Sequence, residues 1–418
     1  MGYTLHLKGI GSGQTYSADQ LMNLDPVDGR PVRMILDLER LQQDYPDHSW
    51  YQPQRRDMWR FGPLLPLDPN QPEDARHIVS LGEGHTPLLN ASDLVPNEVR
   101  LWIKDEGHPH PGYGENPTHS FKDRGMSVVA SMARRFGLDA LAVPTQGNAG
   151  DSLCHYARAA GMKVVVAMPD DTPMPILGSV AAAAAMDSDV TLETVKGTIR
   201  EAGELLKAEY IPNGYFNCAT FQEPGWRIEG KKTLGLEIAE AVAGYQGWKL
   251  PDAIIYPTGG GTGILGMWKA FSELECLGLL GPERPRIYSV QSDVTPPLVN
   301  AFARGDADTT PVEAGQSLCV GLNVPGGVGH FEVLRIIRDS GGKALAIDEQ
   351  TTANTLTDIW RRKRWWICPE GAATVAAANQ LIEAGDLQAG ETVVAVNTGS
   401  FEKYLPDLRH LLVERDQA

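Results

Sequence analysis

The reactive candidate in this sequence is a single lysine, Lys122, set in Asn116-Pro117-Thr118-His119-Ser120-Phe121-Lys122-Asp123-Arg124-Gly125. It falls between a Pro-containing loop and a run, Met126 to Phe136, that reads as a helix. An amine on a rigid turn, beside hydroxyl residues and one aromatic, is suited to forming a Schiff base. It must be desolvated or have a depressed pKa to attack a carbonyl at neutral pH. The competing reading is an exposed surface cation, the usual fate of lysine.

Two further segments bear on the choice. Tyr256-Pro257-Thr258-Gly259-Gly260-Gly261-Thr262-Gly263 follows a strand-like run (Ala253 to Tyr256) and precedes a helix-like one (Ile264 to Leu274). A glycine-rich turn there frees backbone N–H groups and lets an anion approach a helix N-terminus, which makes a phosphate cradle. It lacks the Gly-Lys-Ser/Thr of a P-loop and the spacing of G-x-G-x-x-G; a flexible turn is the alternative. Pro144-Thr145-Gln146-Gly147-Asn148-Ala149-Gly150 also lies between strand-like (Leu141 to Val143) and helix-like (Ser152 to Ala160) runs. Its amides suit a carboxylate, or it is a plain βα turn using Gly and Asn.

In order along the chain, these segments, with Gly230-Lys231-Lys232-Thr233 and Asn397-Thr398-Gly399-Ser400, resemble the fold type II family of pyridoxal-phosphate (PLP) enzymes. Within it they are most similar to the threonine synthases. The resemblance runs from about Glu115 to Tyr404. It implies PLP as cofactor and Lys122 as the residue that bears it and does the catalysis. It places Phe121 beside the cofactor, Asn148 on the pyridine 3-hydroxyl, and Gly259, Gly260, Gly261, Thr262 and Gly263 around the phosphate. Thr398 would face the pyridine nitrogen; a hydroxyl there need not keep that nitrogen protonated. Thr145, Gln146 and Gly147 would hold the substrate carboxylate, with Ser120 and His119 lining the substrate. Arg227 and Lys232 would help neutralise a substrate phosphate by charge-assisted hydrogen bonds, the opposing reading being a solvated helix start.

The implied activity is conversion of O-phospho-L-homoserine and water to L-threonine and phosphate. The sequence departs from the threonine synthase pattern at His119, where a small residue is usual, and at Lys231, where Gln is usual. Its Gly259–Gly263 loop is closer to dehydratases and ammonia-lyases. The alternative activity is therefore β-elimination, or β-replacement on a hydroxy or O-phospho amino acid.

The elements that must position these residues alternate. Strand-like and helix-like runs recur from Leu101 to Ala167 and from Ala253 to Gln291, and again through Ala372–Glu383 and Thr392–Val396. Such alternation argues for βαβ units and parallel sheets. The expected class is α/β, a tryptophan synthase β-like fold of two open, twisted, mainly parallel sheets with helices on both faces. Ligands then gather outside the carboxyl ends of strands. The expected division is an N-terminal arm or cap over 1–75, a large PLP-binding domain over 76–124 and 216–418, and a small inserted α/β domain over 125–215.

Composition sets bounds. The 418 residues are 42% hydrophobic and 22% charged, with 53 acidic and 37 basic side chains and a net charge of −16. That balance argues against nucleic acid or an anionic membrane as partner, although Arg361-Arg362-Lys363-Arg364-Trp365-Trp366 has the look of a nucleic-acid patch. One helix face packing its side-chain stems is the favoured reading of that segment. No apolar run of about 18 residues is present to span a membrane. Five widely spaced cysteines without C-x-x-C suit reduced thiols in a cytoplasm, and the N-terminus lacks a signal-peptide core. His108-Pro109-His110-Pro111 offers two imidazoles but no third ligand nearby, so no metal is expected. The expected partner is a small-molecule amino acid; a homodimer follows from the resemblance alone.

Overall fold

The computed structural model describes residues 2–413. The chain divides into two compact units, Met1–His85 with Asn116–Thr233, and Thr86–Glu115 with Leu234–Ala418.

The first unit is built on a four-stranded sheet. Its order is Val190–Val195, Lys163–Pro169, Ala140–Pro144, Phe216–Asn217, and every pairing is parallel. Lys163–Pro169 (KVVVAMP) is buried from its second residue onward. A continuous apolar, β-branched run of that kind marks a parallel strand covered on both faces. Helices Lys122–Arg135 and Ala149–Ala159 follow the lysine and Asn148 turns. The alanine tract forms Met174–Met186, entered at Pro173, a residue at ease where a helix starts. Thr198 and Glu201 form a reciprocal capping box at the head of Ile199–Glu209.

The N-terminal residues contribute a three-stranded antiparallel sheet, Thr15–Ser17, Thr4–Gly9 and Val32–Leu36. Their apolar side chains join the unit's core. Leu7, Met34, Met58, Trp59 and Leu65 cluster with Val128, Met132, Leu153 and Tyr156. Polar contacts fix the seam. Trp59 Nε1 donates to Glu83 Oε1 at 3.2 Å and to Ser127 Oγ at 3.1 Å, and the Tyr156 hydroxyl donates to Glu83 Oε2 at 2.8 Å. Burial pushes the Glu83 carboxyl above its usual range, and hydrogen bonds from Ser127, the Leu81 N–H and the Tyr156 hydroxyl offset part of that.

The second unit holds a six-stranded sheet, in order Ala344–Ile347, Arg286–Ser292, Ala253–Pro257, Thr392–Asn397, Arg100–Asp105, Leu88–Asn90. All neighbours are parallel except the antiparallel edge strand Leu88–Asn90. The central strands Ala253–Pro257 and Thr392–Asn397 are almost wholly buried. Helix Pro369–Glu383, rich in alanine, lies in the same core as Ile255, Val290 and Val393. The class is α/β with two mainly parallel sheets, as the alternation predicts.

The basic-aromatic segment ends helix Glu349–Lys363. Lys363 Nζ lies 5.1 Å from the Trp365 ring centroid, the Arg364 guanidinium 5.2 Å from that of Trp360, and Arg362 pairs with Asp358 at 3.2 Å. Among the described residues, no helix is long and apolar enough to cross a membrane. Cys154, Cys218, Cys319 and Cys368 are buried free thiols, and Cys276 is an exposed one.

Candidate active site

In the first unit the lysine turn is locked by one carboxylate. Asp123 is fully buried. It accepts from the Thr118 backbone N–H at 2.7 Å, from Thr118 Oγ1 at 2.6 Å and from Ser152 Oγ at 2.6 Å. These charge-assisted bonds tie the loop before Lys122 to the helix after it, and both to the helix that follows Asn148. Lys122 is the first residue of helix Lys122–Arg135 and is partly buried, its Nζ 4.9 Å from the Phe121 ring centroid. Ser120 Oγ is buried without a hydrogen-bond partner. His119 is exposed and has φ +53°, in the left-handed region. Its N–H closes a turn onto the Asn116 carbonyl at 2.8 Å. A residue with a Cβ costs about 1–2 kcal/mol there, a cost that only glycine escapes.

The second turn of this unit is held from within. Thr145 Oγ1 accepts from the Gly147 N–H at 3.1 Å, and Gln146 Nε2 donates to Asp171 at 3.3 Å. Asn148 is buried, and its Oδ1 has no hydrogen-bond partner. At Gly150 a Cβ would stand 2.6 Å from Val166 Cγ1, so glycine lets this helix close on its strand.

Helix Trp226–Val242 carries the basic residues. At Gly230 a Cβ would lie 2.0 Å from the Arg124 carbonyl oxygen, so only glycine permits this approach. That closeness brings Arg227 and Lys231 against Gly125, one turn into the Lys122 helix. Lys231 is buried, donates to the Phe121 carbonyl, and lies 3.6 Å from the Phe121 ring centroid. Lys232 is fully buried and paired with Glu229 at 2.6 Å. Arg227 is buried, donates to the Cys218 carbonyl and, at 3.3 Å, to Thr220 Oγ1; its Nε has no partner. Burial pushes the Glu223 carboxyl up to about 7, against the pull of Arg227, and lowers Arg227 itself.

The second unit presents backbone rather than side chains. Strand Ala253–Pro257 leads through the glycine loop into helix Thr262–Cys276. Gly261 has φ +92°. A Cβ would stand 2.6 Å from the Gly321 carbonyl oxygen at Gly259, 2.4 Å from Val333 Cγ2 at Gly261, and 2.0 Å from the Tyr256 hydroxyl at Gly263. The glycines are therefore required by close neighbours as well as by turn geometry. The N–H groups of the first helical turn have no intrahelical acceptor and are available to an anion. At the end of strand Thr392–Asn397, Thr398 is buried with its Oγ1 3.8 Å from Cys368 Sγ. Asn397 donates to Asp105 at 2.8 Å and accepts from the Cys368 N–H at 3.1 Å.

Thus His119, Ser120, Phe121, Lys122, Thr145, Gln146, Gly147, Asn148, Arg227 and Lys232 fall in one unit, and Gly259–Gly263 and Thr398 in the other. Two bracing residues escape a reading by motif. Asp123 stands inside the motif but gives no sign of its three bonds. His330, 71 residues beyond Gly259, bonds to that residue's carbonyl. A side chain whose partner is a backbone atom leaves no paired signal in sequence.

The donor set fits PLP within each unit taken by itself. In the first, a primary amine on a locked turn suits an aldehyde, and the open, buried Oδ1 of Asn148 suits a ring hydroxyl. In the second, a glycine cradle at a helix N-terminus suits a phosphate.

Comparison with known proteins agrees. The family described as "Pyridoxal-phosphate dependent enzyme" matches residues 79–399. A threonine synthase of Methanocaldococcus jannaschii is 28% identical over 392 residues, covering 93% of this chain and 91% of that protein. One from Methanosarcina acetivorans is 29% identical over 409 residues, covering 95% and 92%. Among solved structures, diaminopropionate ammonia lyase from Escherichia coli gives a TM-score of 0.65 at 17% identity, covering 82% of this chain and 90% of that one. Threonine deaminase isoform 2 from Solanum lycopersicum gives 0.62 at 21%, covering 79% and 88%. At those identities the likeness is one of fold. The locked lysine turn, the glycine cradle and a family match across most of the chain lead to one conclusion: this protein belongs to the family of pyridoxal-phosphate dependent enzymes.

Proposed function

We propose that this chain is a threonine synthase, converting O-phospho-L-homoserine and water to L-threonine and phosphate. The observation that carries the reading is the placement of Arg227 and Lys231 against Gly125, beside the first turn of the Lys122 helix. Their stems pack there, and Lys231 Nζ and Lys122 Nζ lie 3.6 and 4.9 Å from the one Phe121 ring centroid, so a substrate with a phosphate on its side chain would meet a cation near the reactive amine. The Nε of Arg227, buried and without a partner, is a donor in reserve for such an anion. Relatives bearing the name threonine synthase, similar over nearly the whole of both chains, support the same reading.

Bound PLP supplies an electrophilic carbon for an amine and a sink for the electrons left on the substrate carbon. Lys122 holds the cofactor at rest. With PLP held there, Lys122 Nζ, once free, would take the proton from Cα, pass it on, and only then, as a neutral amine again, take one from Cβ, acting as a positioned base. Arg227 and Lys232 counter the charge of the leaving phosphate. Thr145, Gln146 and Gly147 hold the substrate carboxylate, with Ser120 and His119 at its side. Phe121 packs at the cofactor, Asn148 takes its ring hydroxyl, and Gly259, Gly260, Gly261, Thr262 and Gly263 take its phosphate. Thr398 offers the pyridine nitrogen a hydroxyl, which does not force protonation and moderates the sink.

The domain assignment proposed with it is an arm over 1–75, a large domain over 76–124 and 216–418, and an inserted domain over 125–215. Three strands of the four-stranded sheet, Ala140–Pro144, Lys163–Pro169 and Val190–Val195, fall within 125–215 and support the insertion; the fourth, Phe216–Asn217, lies just past its end. We place the enzyme in the cytoplasm, supported by its buried free thiols, and as a homodimer, on family resemblance; sedimentation velocity of the holoenzyme tests the latter.

The activity test is incubation with O-phospho-L-homoserine while phosphate, threonine and 2-oxobutyrate are measured together. Phosphate and threonine in equal amounts are expected. Phosphate with 2-oxobutyrate and ammonia would instead assign γ-elimination, in which phosphate leaves Cγ and no water is added at Cβ. The β-eliminating alternative, to which the glycine-rich loop leans, is read with L-serine or L-threonine as substrate, as 2-oxo acid and ammonia. No turnover by PLP-loaded protein would refute the proposed substrate.

A further inference from the structure

Helix His330–Asp339 begins against the glycine loop. His330 is fully buried. Its Nε2 lies 2.8 Å from the Gly259 carbonyl oxygen and its Nδ1 3.0 Å from Thr309 Oγ1. A carbonyl oxygen only accepts, so Nε2 carries the hydrogen. Nδ1 is then the acceptor, and the Thr309 hydroxyl donates to it. Both ends of a neutral imidazole are thereby occupied and one tautomer is fixed. Burial pushes this histidine below its ordinary pKa, against the pull of the Gly259 carbonyl and Asp308. The fit is close: a Cβ on Gly327 would stand 2.6 Å from His330 Nε2. One turn along the same helix, Val333 fills the space beside Gly261. One helix therefore grips the loop at two of its glycines.

The grip on Gly259 has a consequence for Gly260. The peptide that joins them is planar and trans, so its C=O and N–H point in opposite directions. Holding the carbonyl toward His330 turns the Gly260 N–H away from it. Glycines flank that peptide, so without a fixed partner it rotates at little cost.

We propose that His330 is a positioning residue for the anion-binding loop: by holding the Gly259 carbonyl it sets the direction in which the Gly260 N–H is presented to a phosphate. The proposal rests on the reading that this loop takes the PLP phosphate. It concerns a residue that touches neither cofactor nor substrate.

Three measurements test it. In protein labelled with 15N-histidine and freed of PLP, His330 should give the signature of a neutral, Nε2-protonated ring at pH 7. In His330→Leu, PLP affinity should fall about ten- to a hundredfold, the scale of one buried hydrogen bond left unmade, and the 31P resonance of bound PLP should move. His330→Gln keeps a donor near the Nε2 position and should stay within about threefold of the original affinity. Thr309→Val, at a partly buried site, is a milder variant should His330→Leu fail to fold; it should weaken PLP binding a few-fold with the same direction of 31P shift. A 31P resonance and affinity unchanged in folded His330→Leu, or in Thr309→Val if that is the variant that folds, would overturn the proposal. So would a Nδ1-protonated or doubly protonated ring in the wild-type protein. Failure of the wild-type protein to bind either PLP or inorganic phosphate would overturn the loop assignment itself, a result distinct from an unaffected variant.

Discussion

In the Lys122 turn, side chains hold the backbone. Asp123 collects three hydrogen bonds at 2.6–2.7 Å from the loop before it and from Ser152, and His119 accepts a left-handed φ of +53° in the same turn. In the Gly259–Gly263 loop, the absence of side chains lets neighbouring backbone and side chains close on the loop's own backbone. A Cβ at three of its glycines would come within 2.0–2.6 Å of a carbonyl, a valine methyl or a tyrosine hydroxyl. The first device fixes a reactive side chain at the head of a helix. The second opens a row of N–H groups at the head of another. An amine that must move a proton needs a defined origin, which a buried carboxylate network supplies. A phosphate needs donors on several sides at once, which a bare backbone supplies.

The difference can be broken at each end. The largest effect is expected for Lys122→Ala. Its turnover should fall by a factor of about 10^2 to 10^4, the usual contribution of a positioned proton carrier, and its lysine-linked absorbance should vanish while the glycine loop is untouched. Retention of that absorbance would place the reactive amine elsewhere.

Next comes a matched pair at two left-handed residues. Gly261→Ala puts a Cβ at φ +92° and 2.4 Å from Val333 Cγ2. It should cost about 2 kcal/mol or more. His119→Gly removes a Cβ penalty and should gain about 1 kcal/mol, less what the unfolded chain gains from an added glycine. Denaturant melts of both variants decide it. The same sign for both would mean that backbone strain does not distinguish the two turns.

The smallest effect concerns charge near the Asn148 turn. His155 lies over Asp151, and the Asp151 carboxylate raises its pKa to about 9 from an ordinary 6.5. A folded pKa above the unfolded one means stability fully present below about 6.5 and lost as pH rises through about 9. The side chain is half exposed, so solvent screens the pair. The melting temperature of the wild-type protein should exceed that of His155→Gln by a small margin below pH 6.5, and the margin should close by pH 9 to 10. A margin constant with pH would assign it to packing.

What the sequence made legible follows from the same contrast. Asn148 and Gly259–Gly263 are readable because each stands where an apolar strand gives way to a helix, and Lys122 because a Pro-containing loop gives way to one; those periodicities are local. The strands Ala140–Pro144, Lys163–Pro169, Ala253–Pro257 and Thr392–Asn397 show as β-branched or apolar runs for that reason. Helix bounds were legible only to within a few residues: the run Met126 to Phe136 belongs to a helix that starts at Lys122 itself. The N-terminal sheet was not legible. Its antiparallel strands pair residues such as His6 with Ser17 and Lys8 with Arg33; Tyr3 to Lys8 does alternate apolar with polar, but Thr15–Ser17 is too short to carry a pattern and Ile35 breaks that of Val32–Leu36. Nor were the braces Asp123 and His330, whose partners are backbone atoms and hydroxyls brought close only by folding. Lys231 and Lys232 look alike in sequence; the fold sets one on the Phe121 ring and pairs the other with Glu229.

The most direct test of the account is to reduce the PLP-loaded protein with borohydride, digest it, and locate the phosphopyridoxyl group by mass spectrometry. The account predicts a single modified residue, Lys122. A label on Lys231 or Lys232, or on any lysine outside the Asn116–Gly125 turn, would contradict it.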